Sequence, residues 1–191
     1  MRARMALFQS KLEYEHREIL LKNKPLSLLT YSSKATVPVL IVNDKVLDES
    51  LDIMTWALEI CDIEDWLLAD ELTLKNEMFS LINTCDTKFK PQLDKYKYSD
   101  RHDLSEEYYR EKTLWFFSLL NTKLCEHQYL MSNHISLADI AIFPFVRQYA
   151  FVNKKWFDEN ISKQVTDWLE SLIQSPLYLG IMQKKMLWVD D

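Results

Sequence analysis

Glycine is almost absent from this sequence of 191 residues, which contains a single one, Gly180. Phosphate-binding loops and dinucleotide-binding turns need several glycines, because only glycine allows the tight turn and the close backbone approach that these sites require. The nucleophile turn of a serine hydrolase needs glycines on both sides of its serine. The sequence therefore excludes both nucleotide-binding motifs and the serine-hydrolase turn.

Cysteine is scarce as well. Cys61, Cys85 and Cys125 are far apart, odd in number and not arranged as a C-x-x-C pair. This spacing indicates neither a disulfide framework nor a zinc site. The four histidines show no ligand spacing with one another, so we expect no bound metal.

Long apolar runs and an excess of positive charge are also missing. The longest apolar stretches, 114–120 and 140–146, are shorter than the roughly 20 residues that cross a bilayer, and residues 1–8 do not form a signal peptide. The net charge of −6 leaves no positive field that would attract a phosphate backbone. We expect a cytoplasmic protein that binds neither nucleic acid nor membranes.

The hydrophobic pattern changes near residue 71. The first 60 residues mix short strand-like and helical signals, whereas almost every later segment has helical periodicity. With 48% apolar residues the chain can bury a substantial core. The pattern predicts an α+β fold that is mostly α, with an N-terminal domain at 1–64 and an all-helical domain at 71–191.

The first domain contains a hairpin signal. Residues 37–42 are a β-branched run that turns at Asn43-Asp44 into residues 45–48. Ser50 is then predicted to cap a helix. Ahead of the hairpin the pattern predicts, in order, a helix at 2–11, a strand within 12–20 and a short helix at 25–31.

The second domain has one well-marked helix start. In Ser136-Leu137-Ala138-Asp139, the Ser136 side chain is placed to cap the backbone of Asp139, whose carboxylate reaches back to the Ser136 N–H. We interpret this capping box as a structural device. The helices expected in this domain lie near 71–89, 103–126, 137–150, 161–173 and 177–185.

The order of these parts resembles that of the glutathione transferase family, especially omega-class and related bacterial members. The resemblance is carried by residues 21–25, 36–40 and 48–50, and by the capping box followed by residues 142–145. It covers essentially the whole chain. It implies a thioredoxin-like N-terminal domain and an all-α transferase C-terminal domain.

The resemblance also implies a glutathione site. Lys24 would face the glycine carboxylate of the ligand, and a cis Val37-Pro38 bond would turn the valine backbone outward to pair with an extended peptide. Glu49 would meet the ligand's amino group. Ser50 and the first N–H groups of the following helix would hold the γ-glutamyl carboxylate, which the helix dipole favours.

The sequence departs from the family pattern at its start. Residues 1–7 resemble the inside of the first helix, so the preceding strand and its Cys-, Ser- or Tyr-bearing turn are not present, and we assign no catalytic residue in this chain. The expected activity, once such a strand is supplied, is conjugation or reduction of small hydrophobic electrophiles or disulfides with glutathione as substrate. The alternative is a non-catalytic glutathione-binding or protein-interaction module. Either function is compatible with a homodimer.

A missing first strand would leave a gap between the segment near 14–19 and the strand near 39–42. Unpaired buried backbone groups cost about 1 to 3 kcal/mol each, so the gap should not stay open. We expect the 14–19 segment to move inward onto the 39–42 strand, to fray, or to pair with a strand from another chain. The helical domain should be unaffected.

Overall fold

The computed structural model describes residues 1–188 and divides the chain into two units. The N-terminal unit contains Met1–Ile63 together with the chain from Pro176 onward, and the helical unit contains Glu64–Ser175. The predicted second domain, 71–191, differs from the helical unit because its last helix belongs to the N-terminal unit. Residues 189–191 of that range lie outside the described part of the chain.

The N-terminal unit combines helices with a small antiparallel sheet. The predicted helices at 2–11 and 25–31 are confirmed, and so is the hairpin. The strand predicted within 12–20 is wrong, because this segment forms only isolated bridges. The elements are α1 (Arg2–Gln9), α2 (Leu26–Tyr31), β1 (Leu40–Val42), β2 (Lys45–Leu47), α3 (Ser50–Ile60) and, from the end of the chain, α11 (Pro176–Ile181).

The hairpin turns where the sequence predicts it. Leu40 pairs with Leu47 and Val42 with Lys45, which leaves Asn43-Asp44 as a two-residue turn. Asn43 has a φ of 52°, in the left-handed region that asparagine tolerates better than most residues. The turn chemistry therefore fixes the register of β1 and β2.

Helix α1 is the centre of the N-terminal unit. It packs against α3 on one side and α11 on another. Met5 and Ala6 of α1 and Met54 and Ala57 of α3 are fully buried. On the α11 side, the Phe8 ring lies so close to Gly180 that a Cβ at Gly180 would be 3.1 Å from it. This packing is the physical reason why the last helix joins the N-terminal unit.

The segment between α1 and α2 does not pair with β1. Its residue Glu18 instead forms a parallel bridge with Leu187, and the Trp188 N–H donates to the Glu18 carbonyl at 2.8 Å. The first of the three expected outcomes, inward movement of this segment onto the 39–42 strand, is therefore wrong. The backbone partner comes from the far end of the described chain.

The helical unit follows most of the predicted pattern. The helix predicted at 137–150 is confirmed, and the one at 161–173 begins at Lys163. Its helices are α4 (Leu72–Thr84), α5 (Lys90–Lys97), α6 (Glu106–Glu111), α7 (Leu114–Glu126), α8 (Leu137–Ala150), α9 (Lys154–Asn160) and α10 (Lys163–Ile173). None of these helices, and none elsewhere in residues 1–188, is both long and apolar enough to span a bilayer.

Three predicted helices are corrected, and one helix is added. The helix expected at 71–89 continues through a π-helical turn, Cys85–Phe89, into α5, whose second residue is Pro91. The helix expected at 103–126 is interrupted between α6 and α7, where Thr113 turns its hydroxyl back onto the Arg110 carbonyl. Helix α9 was not predicted, and α11 ends at Ile181 rather than at residue 185. These boundaries depend on local hydrogen bonds that periodicity does not reveal.

Aromatic side chains fill the centre of the helical unit. Phe89 stacks on Phe116 with ring centroids 4.4 Å apart and meets Phe117 edge to face at 5.6 Å. Tyr149 lies 4.6 Å from Phe117 and 4.7 Å from Tyr96. Such pairs add about 0.5 to 1.5 kcal/mol each beyond the area they bury. The π-helical turn places Phe89 in this cluster.

The capping box at the start of α8 is confirmed and belongs to a larger buried network. One carboxylate oxygen of Asp139 accepts from the Ser136 N–H and hydroxyl at 2.9 and 2.8 Å. The other accepts from the Leu130 N–H and the Trp168 indole, both at 2.9 Å. Burial raises the pKa of Asp139, while these four donors oppose the rise. The network ties α8 to α10 and to the loop before α8.

Replacing Asp139 with Asn should destabilise the helical unit strongly. An amide group would turn an N–H₂ donor toward two of the four donors and leave them unpaired, at a cost of about 2 to 4 kcal/mol in the free energy of unfolding. Urea unfolding followed by circular dichroism measures this loss. Asp158→Asn is the matched control, because Asp158 forms an exposed pair with Lys154 and should cost less than about 1 kcal/mol. Equal losses in the two variants would contradict the importance of the network.

Candidate functional site

The predicted site residues occupy three places in the N-terminal unit. Lys24 lies just before α2, Val37-Pro38 lies just before β1, and Glu49-Ser50 lies at the start of α3. Lys24, Val37 and Glu49 are exposed, and Ser50 is half-buried. The β1–β2 hairpin connects the second place to the third, so its tight turn determines how the chain returns to α3.

The bond between Val37 and Pro38 is cis, as the sequence analysis predicts. The chain then enters β1 at Leu40, and residues 39–48 contain the predicted antiparallel hairpin. The Val37 side chain is 47% exposed and is not part of the apolar core. The position is open to contact from outside the unit.

The start of α3 differs from the prediction by one residue. Glu49 has extended backbone angles, φ −108° and ψ 132°, and its carbonyl accepts from the Ile53 N–H at 3.1 Å. Glu49 is therefore the N-cap, and Ser50 is the first helical residue. The predicted capping role of Ser50 is wrong, because no side chain caps this helix. Glu49 thus directly precedes the first turn of α3, and its carboxylate does not cap that turn.

Lys34 is a site residue that the sequence analysis missed. Its ammonium donates to Glu49 Oε1 at 2.6 Å and to Asp48 Oδ1 at 3.0 Å. The buried Ser32 hydroxyl donates to the second Asp48 oxygen at 3.0 Å. We call these four residues the Lys34 cluster. No local sequence motif predicts the Lys34 cluster, because Lys34 lies before the hairpin and its acidic partners lie after it, 14 and 15 positions away.

The charges of the Lys34 cluster reinforce one another. The Lys34 ammonium and then the Ser32 hydroxyl lower the pKa of Asp48, and hydrogen bonds to Glu49 and Asp48 raise the pKa of Lys34. One ammonium faces two carboxylates. The cluster therefore has a net negative charge at the start of α3.

Lys24 is separate from the Lys34 cluster. Within residues 1–188 it has no hydrogen-bonding or ion-pair partner, and its side chain is exposed. It follows a turn in which the Asn23 N–H donates to the Leu20 carbonyl at 2.9 Å. Lys24 is available to an anion, whereas the Glu49 carboxylate already holds a cation.

A broad groove lies elsewhere on the N-terminal unit. It has a volume of about 600 Å³ between the hairpin turn and α3, where Asp44, Asp52 and Trp56 line it. None of the five predicted glutathione-site residues borders this groove. It is open and acidic, and the predicted peptide site lies outside it.

The described part of the chain has three free cysteines and no cluster of potential metal ligands. No cluster of three or more His, Cys, Asp or Glu side chains suited to a metal ion occurs in the described part of the chain. Cys61 follows the last residue of α3, about 16 Å along the helix from Ser50. Cys85 is fully buried in the π-helical turn, and Cys125 is an exposed residue of α7. The N-terminal unit thus has its one cysteine at the far end of α3.

Known proteins match both units. The family described as "Glutathione S-transferase, N-terminal domain" matches residues 1–62, and "Glutathione S-transferase, C-terminal domain" matches residues 86–176. Glutathione S-transferase U22 of Arabidopsis thaliana is 26% identical over 142 residues, which are 74% of this chain and 64% of that protein. The chain thus spans less than two thirds of the length of this curated relative.

Solved structures share the fold. Glutathione transferase Omega 3C from Trametes versicolor has a TM-score of 0.78 at 18% identity, over 97% of this chain and 87% of that one. Glutathione S-transferase-I, solved with the ligand lactoylglutathione, has a TM-score of 0.75 at 18% identity, over 94% and 91%. At such identities the likeness shows the fold alone.

Replacing Lys34 with Met should raise the pKa of Asp48 toward its ordinary value, because the largest cause of the lowered pKa is removed. A carboxyl with a lowered folded pKa stabilises the fold above its unfolded pKa, and this contribution is lost as the pH falls through the folded pKa. The variant should lose this acid-dependent part of its stability. Carboxyl NMR titration of Asp48 checks the shift, with Lys45→Met as the exposed-lysine control. An unchanged Asp48 titration would contradict the ion pair.

Proposed function

The chain belongs to the glutathione S-transferase family, and on this basis we propose that it binds glutathione through Lys24, Val37, Pro38, Glu49 and Ser50. The observation that carries the proposal is the start of α3. There Glu49, whose exposed carboxylate accepts from the Lys34 ammonium, is the N-cap residue ahead of the first helical turn. One end of a γ-glutamyl peptide bears both an ammonium and a carboxylate, and this pairing of acid and helix start suits both groups.

The helix start supplies the anion-binding half of the site. The first N–H groups of α3 have no partner within the helix and lie at the positive end of its dipole, which favours a carboxylate. With 11 residues, α3 is long enough for a substantial dipole. Ser50, as the first helical residue, adds a hydroxyl that is not used as a cap.

The Lys34 cluster supplies the cation-binding half. Asp48 and Glu49 present two carboxylates to a single ammonium, so a ligand ammonium can share Glu49 without leaving Lys34 unpaired. Lys34 retains Asp48, which the Ser32 hydroxyl holds in place. The rest of the peptide would extend past the backbone of Val37, with its terminal carboxylate toward Lys24.

We further propose that this sequence binds glutathione without appreciable turnover. Conjugation and thiol transfer need a group that activates or attacks sulfur at the site, and Cys61 lies at the other end of α3 from Ser50. With a strand and a Cys-, Ser- or Tyr-bearing turn added ahead of α1, the site would conjugate or reduce small electrophilic or disulfide substrates. The same position of Cys61 favours the second candidate function, a non-catalytic binding module.

Glutathione binding should depend on Glu49 and Lys24. Removing either charge, by Glu49→Gln or Lys24→Met, should raise the dissociation constant about three- to fivefold, since an exposed ion pair contributes up to about 1 kcal/mol. Isothermal titration calorimetry measures the change. Asp44→Asn and Lys22→Met are matched controls that remove exposed charges outside the site. Absence of glutathione binding by the unmodified chain would overturn the proposal.

Turnover should respond to the N-terminal strand and not to Cys61. We expect this chain to show at most background rates in conjugation and thiol-transfer assays, with and without the substitution Cys61→Ser. A version with a strand and a Cys-bearing turn added before α1 should gain activity, because it supplies the thiolate. Equal turnover in the two versions would contradict the proposal that the site lacks a group that activates sulfur.

A further inference from the structure

The segment joining α1 to Lys24 has no apolar anchor of its own. Not one side chain among residues 11–24 is buried, and Leu20 and Leu21 are 55% and 61% exposed. In a segment without core contacts, backbone pairing and surface contacts must provide the order. The contacts of this segment with other parts of the N-terminal unit therefore decide where Lys24 is held.

The backbone contact comes from residues 186–188, which we call the strap. Leu187 bridges Glu18 in parallel, and the Trp188 N–H donates to the Glu18 carbonyl at 2.8 Å. Met186 and Leu187 are 92% and 52% exposed, so their side chains bury little apolar surface. The strap is held by pairing more than by hydrophobic packing.

Trp188 gives the strap its side-chain anchor. The Arg17 guanidinium lies over the indole, 4.5 Å from the ring centroid, in a cation–π contact. Two hydrogen bonds of 2.9 Å to the Glu15 carboxylate orient the guanidinium. A planar arginine can stack on a ring and bind a carboxylate at its edge at the same time. Backbone pairing and stacking thus act at adjacent residues, 17 and 18.

Glu18 also connects the strap to α1. Its carboxylate lies 3.0 Å from His16 Nε2 and 3.7 Å from the Arg4 guanidinium. Arg4 donates in addition to the carbonyl of Ile181, the last residue of α11 and the start of the chain that leads to the strap. The strap, the segment and α1 therefore meet at one residue.

We propose that the strap is a positioning element for Lys24, and this role in ligand binding rests on the proposed function. Glu18 is six residues before Lys24, and the Leu20–Asn23 turn lies between them. With Glu18 fixed and the turn closed, Lys24 has little freedom to move. Released from the strap, the segment would let Lys24 sample many positions and lose its contact with the ligand's terminal carboxylate.

Limited trypsin digestion tests the strap directly. Trp188→Ala, and a chain ending at Lys185, should both be cleaved after Lys22 at least about fivefold faster than the unmodified chain, since a released segment enters a protease more readily. Trp115→Ala, an exposed tryptophan of α7, is the matched control and should leave these rates unchanged. Unchanged cleavage in both strap variants would overturn the proposal.

Two ligands separate the strap from the glutathione site itself. For Trp188→Ala we expect weaker binding of glutathione, by about three- to fivefold, and unchanged binding of γ-glutamylcysteine, which lacks the glycine carboxylate. If Trp188→Ala is cleaved faster but the dissociation constants of both ligands change equally, the proposal that the strap positions Lys24 is overturned. If the unmodified chain binds neither ligand, the proposed function fails and the role of Lys24 with it, while the digestion still decides whether the strap holds the segment.

Discussion

The packing of α1 between α3 and α11 is the constraint on which the N-terminal unit depends. Met5 and Ala6 of α1 are fully buried, as are Met54 and Ala57 of α3, and on another side α1 packs against α11 near the end of the chain. Because α1 fixes α3, it also fixes the helix start where Glu49 lies. Because it fixes α11, it brings the strap within reach of Glu18. Both ends of the described chain thus meet around one short helix.

The proposed ligand site is built from exposed charges on this frame. Its acidic part is ordered before any ligand arrives, since Lys34 holds Asp48 and Glu49 together and Ser32 supports Asp48 from the buried side. An incoming ammonium then meets a carboxylate whose position is already set, so less conformational entropy is lost on binding. Lys24, at the other end, is ordered by contacts of its backbone segment rather than by a partner of its own.

The helical unit is stabilised by a buried polar network and an aromatic cluster. Its buried carboxylate, Asp139, is acceptable in an apolar interior only because four donors surround it. The aromatic cluster around Phe89 fills the remaining space, with the π-helical turn setting the position of that ring. These features hold helices in place and involve none of the residues proposed to bind glutathione.

The sequence by itself determined what short-range chemistry controls: the Asn43-Asp44 turn, the capping box at Ser136, most helices, and the family through the order of its motifs. Only the tertiary structure decided that Lys34 pairs with Glu49 and that Glu18 pairs with Leu187. The physical reason is the same in both cases. Turns and caps are formed by residues a few positions apart. The two pairs join residues that are distant in the sequence: the hairpin brings Glu49 back to Lys34, and the packing of α1 against α3 and α11 brings Leu187 to Glu18.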